Sequence, residues 1–207
     1  MDESRAEPVP REAVASLADS ILDRIPDESA TTEWRSALRD MEIDDARDED
    51  LYGFFACVLA LKAVSEGNAG IGCVLVAGDG AVVAYGHNQV FHPYFRSDLH
   101  GEMVTMDAFE DKRLDVAPRE LTLYSSLEPC PMCMVRLVTA GIGRVLYIAR
   151  DESWGMTEER HKLPPIWKDL AEGKVFAGAE CSPELRDIAF DIFSINIDAL
   201  YEALKNR

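Results

Sequence analysis

The order of strand and helix signals constrains this chain most. The run Ile71 to Ala77, the turn Gly78-Asp79-Gly80 and the run Ala81 to Tyr85 read as a β-hairpin. A helix from His100 to Phe109, a strand from Leu121 to Ser126, a helix from Pro131 to Ala140 and a strand from Arg144 to Ala149 then alternate. Such alternation predicts a mixed sheet with helices on its faces. Ahead of the hairpin, Leu51, Phe54, Phe55, Val58 and Leu59 recur at helical spacing. They follow Asp48, Glu49 and Asp50, acids that suit a helix N-terminus, so a core helix is expected there. From His87 to Leu99 the periodicity is lost, and a loop of that length in a compact domain is usually functional. After a polar stretch, Asp151 to Glu180, that ends in a short strand signal at Lys174 to Ala177, the chain closes on one periodic helix. Ser182 is its N-cap, Pro183 sits in its first turn, and Leu185, Ile188, Ala189, Ile192, Phe193, Ile197, Leu200 and Leu204 share a side.

The front of the chain has a different character. Residues 1–50 hold 16 acids against 6 bases, a net of −10 out of −17 for all 207 residues. Glu12 to Ile25 and Thr32 to Met41 are amphipathic and predict two short helices, whereas residues 1–10, with two prolines and no periodicity, are expected to fray. We therefore divide the chain into an acidic helical extension, 1–47, and a main domain, 48–207. The acidity weighs against a nucleic-acid partner, because binding phosphates relies on Lys and Arg displacing counterions. The opening residues lack a basic and then apolar leader, and the longest apolar run, Phe54 to Leu61, is too short to span a bilayer. A cytoplasmic protein with no membrane partner is expected.

Five cysteines without an export signal point to metal or reduced thiols and not to a disulfide framework. Cys130-Pro131-Met132-Cys133 places two sulfurs at the start of a predicted helix, where thiolate is favoured. Alone, this pair reads as a redox dithiol, half of a structural zinc site, or part of a catalytic one. Cys57, Cys73 and Cys181 are isolated and read as buried thiols, so no second close pair completes a four-cysteine site. His100-Gly101-Glu102, thirty residues upstream of Cys130, adds an imidazole and a carboxylate. His100, Cys130 and Cys133 then give one Zn²⁺ three ligands and an open position, the arrangement of a catalytic metal. Glu102 is left beside the metal as the group that moves protons. The combination matches the H-x-E and P-C-x-x-C pattern of zinc deaminases, in which an exocyclic amine leaves as ammonia and a carbonyl remains.

At these residues the chain resembles the cytidine deaminase-like superfamily, within it the branch of guanine deaminases and tRNA adenosine deaminases. The resemblance runs from about Leu51 to Gly155. It rests on Gly72 to Val76, Gly86-His87-Asn88, His100-Gly101-Glu102, Ser126 to Cys133, and Gly143-Arg144-Val145 leading to Ala149-Arg150-Asp151. It implies a three-layer α/β/α sandwich around a mixed sheet of about five strands, zinc on His100, Cys130 and Cys133, and Glu102 as proton shuttle. It also implies that Asn88 and the backbone N–H of Gly101 contact the substrate, and that the protein is a homodimer. The branch carries alanine where this chain has Gly101, and the preceding Arg96-Ser97-Asp98-Leu99 departs from its pattern.

The substrate expected from these features is a small nucleobase, nucleoside or related aminated heterocycle, a guanine-like purine first. Phe95 and Trp154, with Phe91 and Tyr94, are candidates to stack on its ring. The alternatives are a tRNA adenosine-to-inosine deaminase and a non-catalytic zinc module that scaffolds a partner. Few bases and several acids after Pro183 weigh against the tRNA reading, and the presence of Glu102 weighs against the scaffold.

Overall fold

A computed structural model describes residues 7–43 and 47–207. Three helices come first: α1 (Arg11–Leu22), α2 (Thr32–Asp40) and α3 (Asp48–Ser65). The hairpin strands β1 (Gly72–Val76) and β2 (Val82–His87) follow, then α4 (Gly101–Lys112), β3 (Thr122–Leu127), α5 (Pro131–Ala140) and β4 (Arg144–Ala149). The last elements are α6 (Pro165–Ala171), β5 (Val175–Gly178), α7 (Pro183–Ser194) and α8 (Ile197–Lys205). The strands form one mixed sheet in the order β2-β1-β3-β4-β5. β1 is antiparallel to β2 and β3, while β3, β4 and β5 are parallel.

Both faces of the sheet are covered, which is why its strands read as nearly continuous apolar runs. Val74, Val76, Tyr124, Leu146 and Ile148 pack with residues of α1, α2, α3 and α7. Cys73, Leu75, Leu123 and Val145 face the other way, against Met106 and Phe109 of α4 and Met134, Leu137 and Val138 of α5. This is the three-layer α/β/α sandwich. α3 is buried almost all round because α1 lies on its outer side. It also crosses the sheet at Gly72, where a Cβ would stand 2.3 Å from the Ala56 carbonyl oxygen.

The acidic front is built into this core. Val14, Ala18, Ile21 and Leu22 of α1 and Leu38 of α2 are buried in the cluster around α3. Burying each large aliphatic side chain is worth roughly 1.5–3 kcal/mol. Residues 1–6 of the stretch expected to fray lie outside the described residues. Val9 does not fray: it exchanges two 2.8 Å backbone hydrogen bonds with Val82 and covers the outer edge of β2. The acids at the start of α3 have a second use. Asp50 accepts the Ser182 N–H at 2.7 Å and Glu49 accepts that of Glu180, fixing the approach to α7.

The single closing helix predicted from periodicity is two helices. At Asn196 the backbone turns out of the helical region, with φ −134° and ψ 1°, and its side-chain amide donates to the Asn68 carbonyl at 2.9 Å. The apolar stripe serves two partners: Leu185, Ile188, Ala189 and Ile192 enter the core, whereas Ile197, Leu200 and Leu204 line a cavity. Among the described residues no helix is long and apolar enough to cross a membrane.

The topology brings several chain segments to one edge of the sheet. β3 and β4 are parallel and end there, releasing residues 128–133 and 150–158. The antiparallel β1 begins at that edge and β2 ends there, because Cys73 pairs with Ser125 and Gly72 with His87. Ile71, Asn88, Glu128 and Asp151 thus meet at the carboxyl end of the parallel strands, where α/β sheets bind ligands.

Candidate active site

His100 is the N-cap residue of α4, and Cys130 that of α5. Each side chain stands at the mouth of its helix, and Cys133 lies one turn into α5. The two sulfurs and His100 Nδ1 form an equilateral triangle with edges of 3.6 Å. A tetrahedral ion with bonds of about 2.0–2.3 Å spaces its donors by about 3.6 Å, so the set fits Zn²⁺ with one vertex open. Among the described residues, His100, Cys130 and Cys133 are the group whose donor atoms converge this way.

The charges are crowded. Cys133 and then His100 stabilise the Cys130 thiolate and pull its pKa down to about 4. Cys133 is pushed well up by Cys130 and by burial. Burial opposes charge on His100, but contact with the Cys130 thiolate outweighs it and raises its pKa. Burial, then the Cys130 charge, pushes Glu102 up to about 7. Three groups hold protons beyond their usual range, the direction a divalent cation at the triangle would reverse.

Glu102 lies in the first turn of α4, buried, with Oε2 3.3 Å from Cys133 Sγ. Its carboxylate is next to the triangle and is not a corner of it. Gly101 lets the first turn of α4 close on the sheet: a Cβ here would stand 3.2 Å from the Ile71 carbonyl oxygen and 3.3 Å from Cys73 Sγ. As the first residue of α4, it has an N–H without an intrahelical acceptor.

His100, Glu102 and Cys130 open into a cavity of about 630 Å³, within the range of small-ligand sites. Asn88 lines it; its Oδ1 accepts the Val90 N–H at 3.1 Å, so the Nδ2 amide is the group it can present. Trp154 and Phe91 line it as well. Phe95 does not. It packs edge-on against Phe91 with the Arg207 guanidinium 3.5 Å above its ring. Tyr94 is 65% exposed and also stands outside the lining.

Two parts of the site escaped the sequence reading. One is the α8 wall: Leu200, Tyr201 and Leu204 close the side where Trp154 stands against Tyr201 and Phe193, with ring centroids 5.4 and 6.2 Å away. A single continuous stripe gave no sign of the turn at Asn196. The other is Glu128, visible in the motif beside Cys130, whose partners lie far along the chain.

Residues 48–149 match the family described as the cytidine and deoxycytidylate deaminase zinc-binding region. A tRNA-specific adenosine deaminase of Bacillus subtilis (strain 168) is 37% identical over 111 residues, 52% of this chain and 65% of that protein. The cytosine deaminase of Candida albicans is 31% identical over 87 residues, 42% of this chain and 57% of its own length. The chain therefore spans somewhat less than two thirds of these relatives. A solved structure from work on A-to-I editing by tRNA:A34 deaminases superposes with a TM-score of 0.55 at 28% identity, covering 66% of this chain and 94% of that one. The guanine deaminase of Nitrosomonas europaea shares the fold, with a TM-score of 0.55 at 17% identity over 84% of this chain and 96% of that one. The matched motifs and the donor triangle make residues 48–149 a cytidine deaminase-like zinc-binding region, and the order of the mixed sheet gives the chain that fold.

Proposed function

We propose that this chain is a zinc-dependent hydrolytic deaminase of small aminated heterocycles, with guanine-like purines as the first candidates. The observation that carries the reaction class is Glu102: a buried carboxyl beside the donor triangle, outside it, and facing the cavity. His100, Cys130 and Cys133 would hold one Zn²⁺ per chain. When bound, zinc supplies a water acidic enough to act as nucleophile near neutral pH. Glu102 would take a proton from that water and pass it to the ring nitrogen, then take the hydroxyl proton of the adduct and give it to the departing amine. The water oxygen forms the new C–O bond, the C–N bond breaks, and ammonia leaves a carbonyl behind. Asn88 Nδ2 and the Gly101 N–H orient the ring, and Trp154 supplies an aromatic wall.

The small-substrate reading is favoured by α8, whose Leu200, Tyr201 and Leu204 narrow the cavity that a splayed nucleotide would enter. The segment Pro183 to Arg207 also carries five acids against three bases, which suits a polyanion poorly. The second reading, tRNA adenosine deamination, is favoured by the identity to the Bacillus enzyme. The proposal places the catalytic unit at residues 48–207, with 1–47 as a helical extension, in a cytoplasmic homodimer.

Ammonia release from guanine, adenine, cytosine, their nucleosides, pterins and triazines, run beside Glu102→Ala, tests the reading. Release from one compound that vanishes in the variant is the expected result. Silence across the panel in zinc-loaded protein, with retardation of tRNA at low salt, would replace it with the second reading.

A further inference from the structure

Glu128 precedes the Pro129-Cys130 corner and is 96% buried, yet nothing in the deamination scheme uses it. Its carboxylate faces the loop that follows β4. Oε2 accepts the Asp151 N–H at 3.3 Å and Oε1 the Glu158 N–H at 3.1 Å. Between these anchors, Gly155 lies directly on the carboxylate: a Cβ there would stand 2.4 Å from Glu128 Cδ and 2.4 Å from the Asp151 carbonyl oxygen. Pro129 adds a third tie by accepting the Met156 N–H at 2.9 Å. Asp151 Oδ1 folds the intervening turn by accepting the N–H groups of Ser153 and Trp154 at 2.9 and 3.0 Å. The loop so held carries Trp154, which packs on Phe193 of α7 and Tyr201 of α8.

We propose that Glu128 is a positioning residue. Its carboxylate clamps residues 151–158 and so sets the distance between the Trp154 wall and the metal donors, governing how tightly the ring is held and not whether metal binds. The part of this inference that concerns substrate rests on the function proposed above.

Glu128→Gln keeps the side-chain shape but turns one acceptor oxygen into a donor facing a backbone N–H. With Trp34→Phe and Trp167→Phe in the same protein, Trp154 is the sole indole. In Glu128→Gln, Trp154 emission should shift to the red and become more open to acrylamide, while zinc stays at the level of the unsubstituted protein. KM for a compound that is turned over should rise about tenfold, more than kcat falls, as expected for loss of one charge-assisted hydrogen bond behind a binding wall. Gly155→Ala attacks the same contact from the loop side and should reproduce the change in Trp154; it decides the matter if Glu128→Gln does not fold. Unchanged quenching in a folded variant would overturn the proposal, and so would zinc loss in step with the quenching change. If no heterocycle is deaminated, the proposed function fails, while quenching and zinc content still decide the role of Glu128.

Discussion

Replacing Glu102 by Gln should separate metal binding from proton transfer. The carboxylate lies outside the 3.6 Å triangle of donors, with Oε2 3.3 Å from Cys133 Sγ, so its loss removes no corner of the metal site. Gln fills the same space but does not cycle a proton. General acid–base catalysis contributes roughly 10²–10⁴-fold, or about 3–6 kcal/mol at about 1.4 kcal/mol per decade. The structure argues for the upper half of that range, because nearby replacements are committed. Glu128 and Asp151 accept backbone N–H groups, and Glu159 pairs with Lys162 at 2.6 Å. Among the described residues lining the cavity, that leaves Glu152, which is exposed. The thermal midpoint should not fall, since burial works against this carboxylate. Zinc by mass spectrometry and ammonia release on the same preparation give the answer. Zinc near the level of the parent protein with activity down by about 10³ or more is expected. Parallel loss of zinc would make Glu102 a ligand, and a deficit under about tenfold would mean that the proton travels by another route.

Cys57→Ala and Cys181→Ala should leave zinc content unchanged, because both thiols are buried in the core around α3 and α7 and burial pushes both pKa values up; a drop on metal analysis would disprove the donor set. Glu66→Gln should show a pH-dependent loss of stability. The contact of Glu66 with His87 at 2.7 Å holds its pKa down at about 2 from an ordinary 4.5. A lowered folded-state pKa adds stability that is present above pH 4.5 and fades as pH falls towards 2. Glu66 is 41% exposed, so the gap between the parent protein and Glu66→Gln in urea unfolding should be about 1 kcal/mol or less near pH 6. That gap should close on acidification, and a gap that widens there would reverse the sign.

What the sequence reveals divides according to how far each signal reaches along the chain. α5 and β4 start and stop where their own residues direct: Pro131 opens α5, Gly141 closes it with φ +85°, and the apolar run from Val145 to Ala149 is bounded by Gly143. The donor triangle was legible for the same reason, since two helix starts and a C-x-x-C spacing are local facts that the sheet brings together. The C-terminal helix was misread because periodicity reports that a side is apolar and not what that side meets. Nothing within residues 182–204 says that Leu185 faces α3 while Leu204 faces a cavity edged by Trp154. The turn between them is fixed by Asn196 reaching the Asn68 carbonyl, 128 positions away. The surroundings of Phe95 are set in the same way, by Arg207 from the far end of the chain, which lies over its ring. The chemical core of the site is thus written in short motifs, while its walls, and with them the choice of substrate, are set by contacts between distant segments.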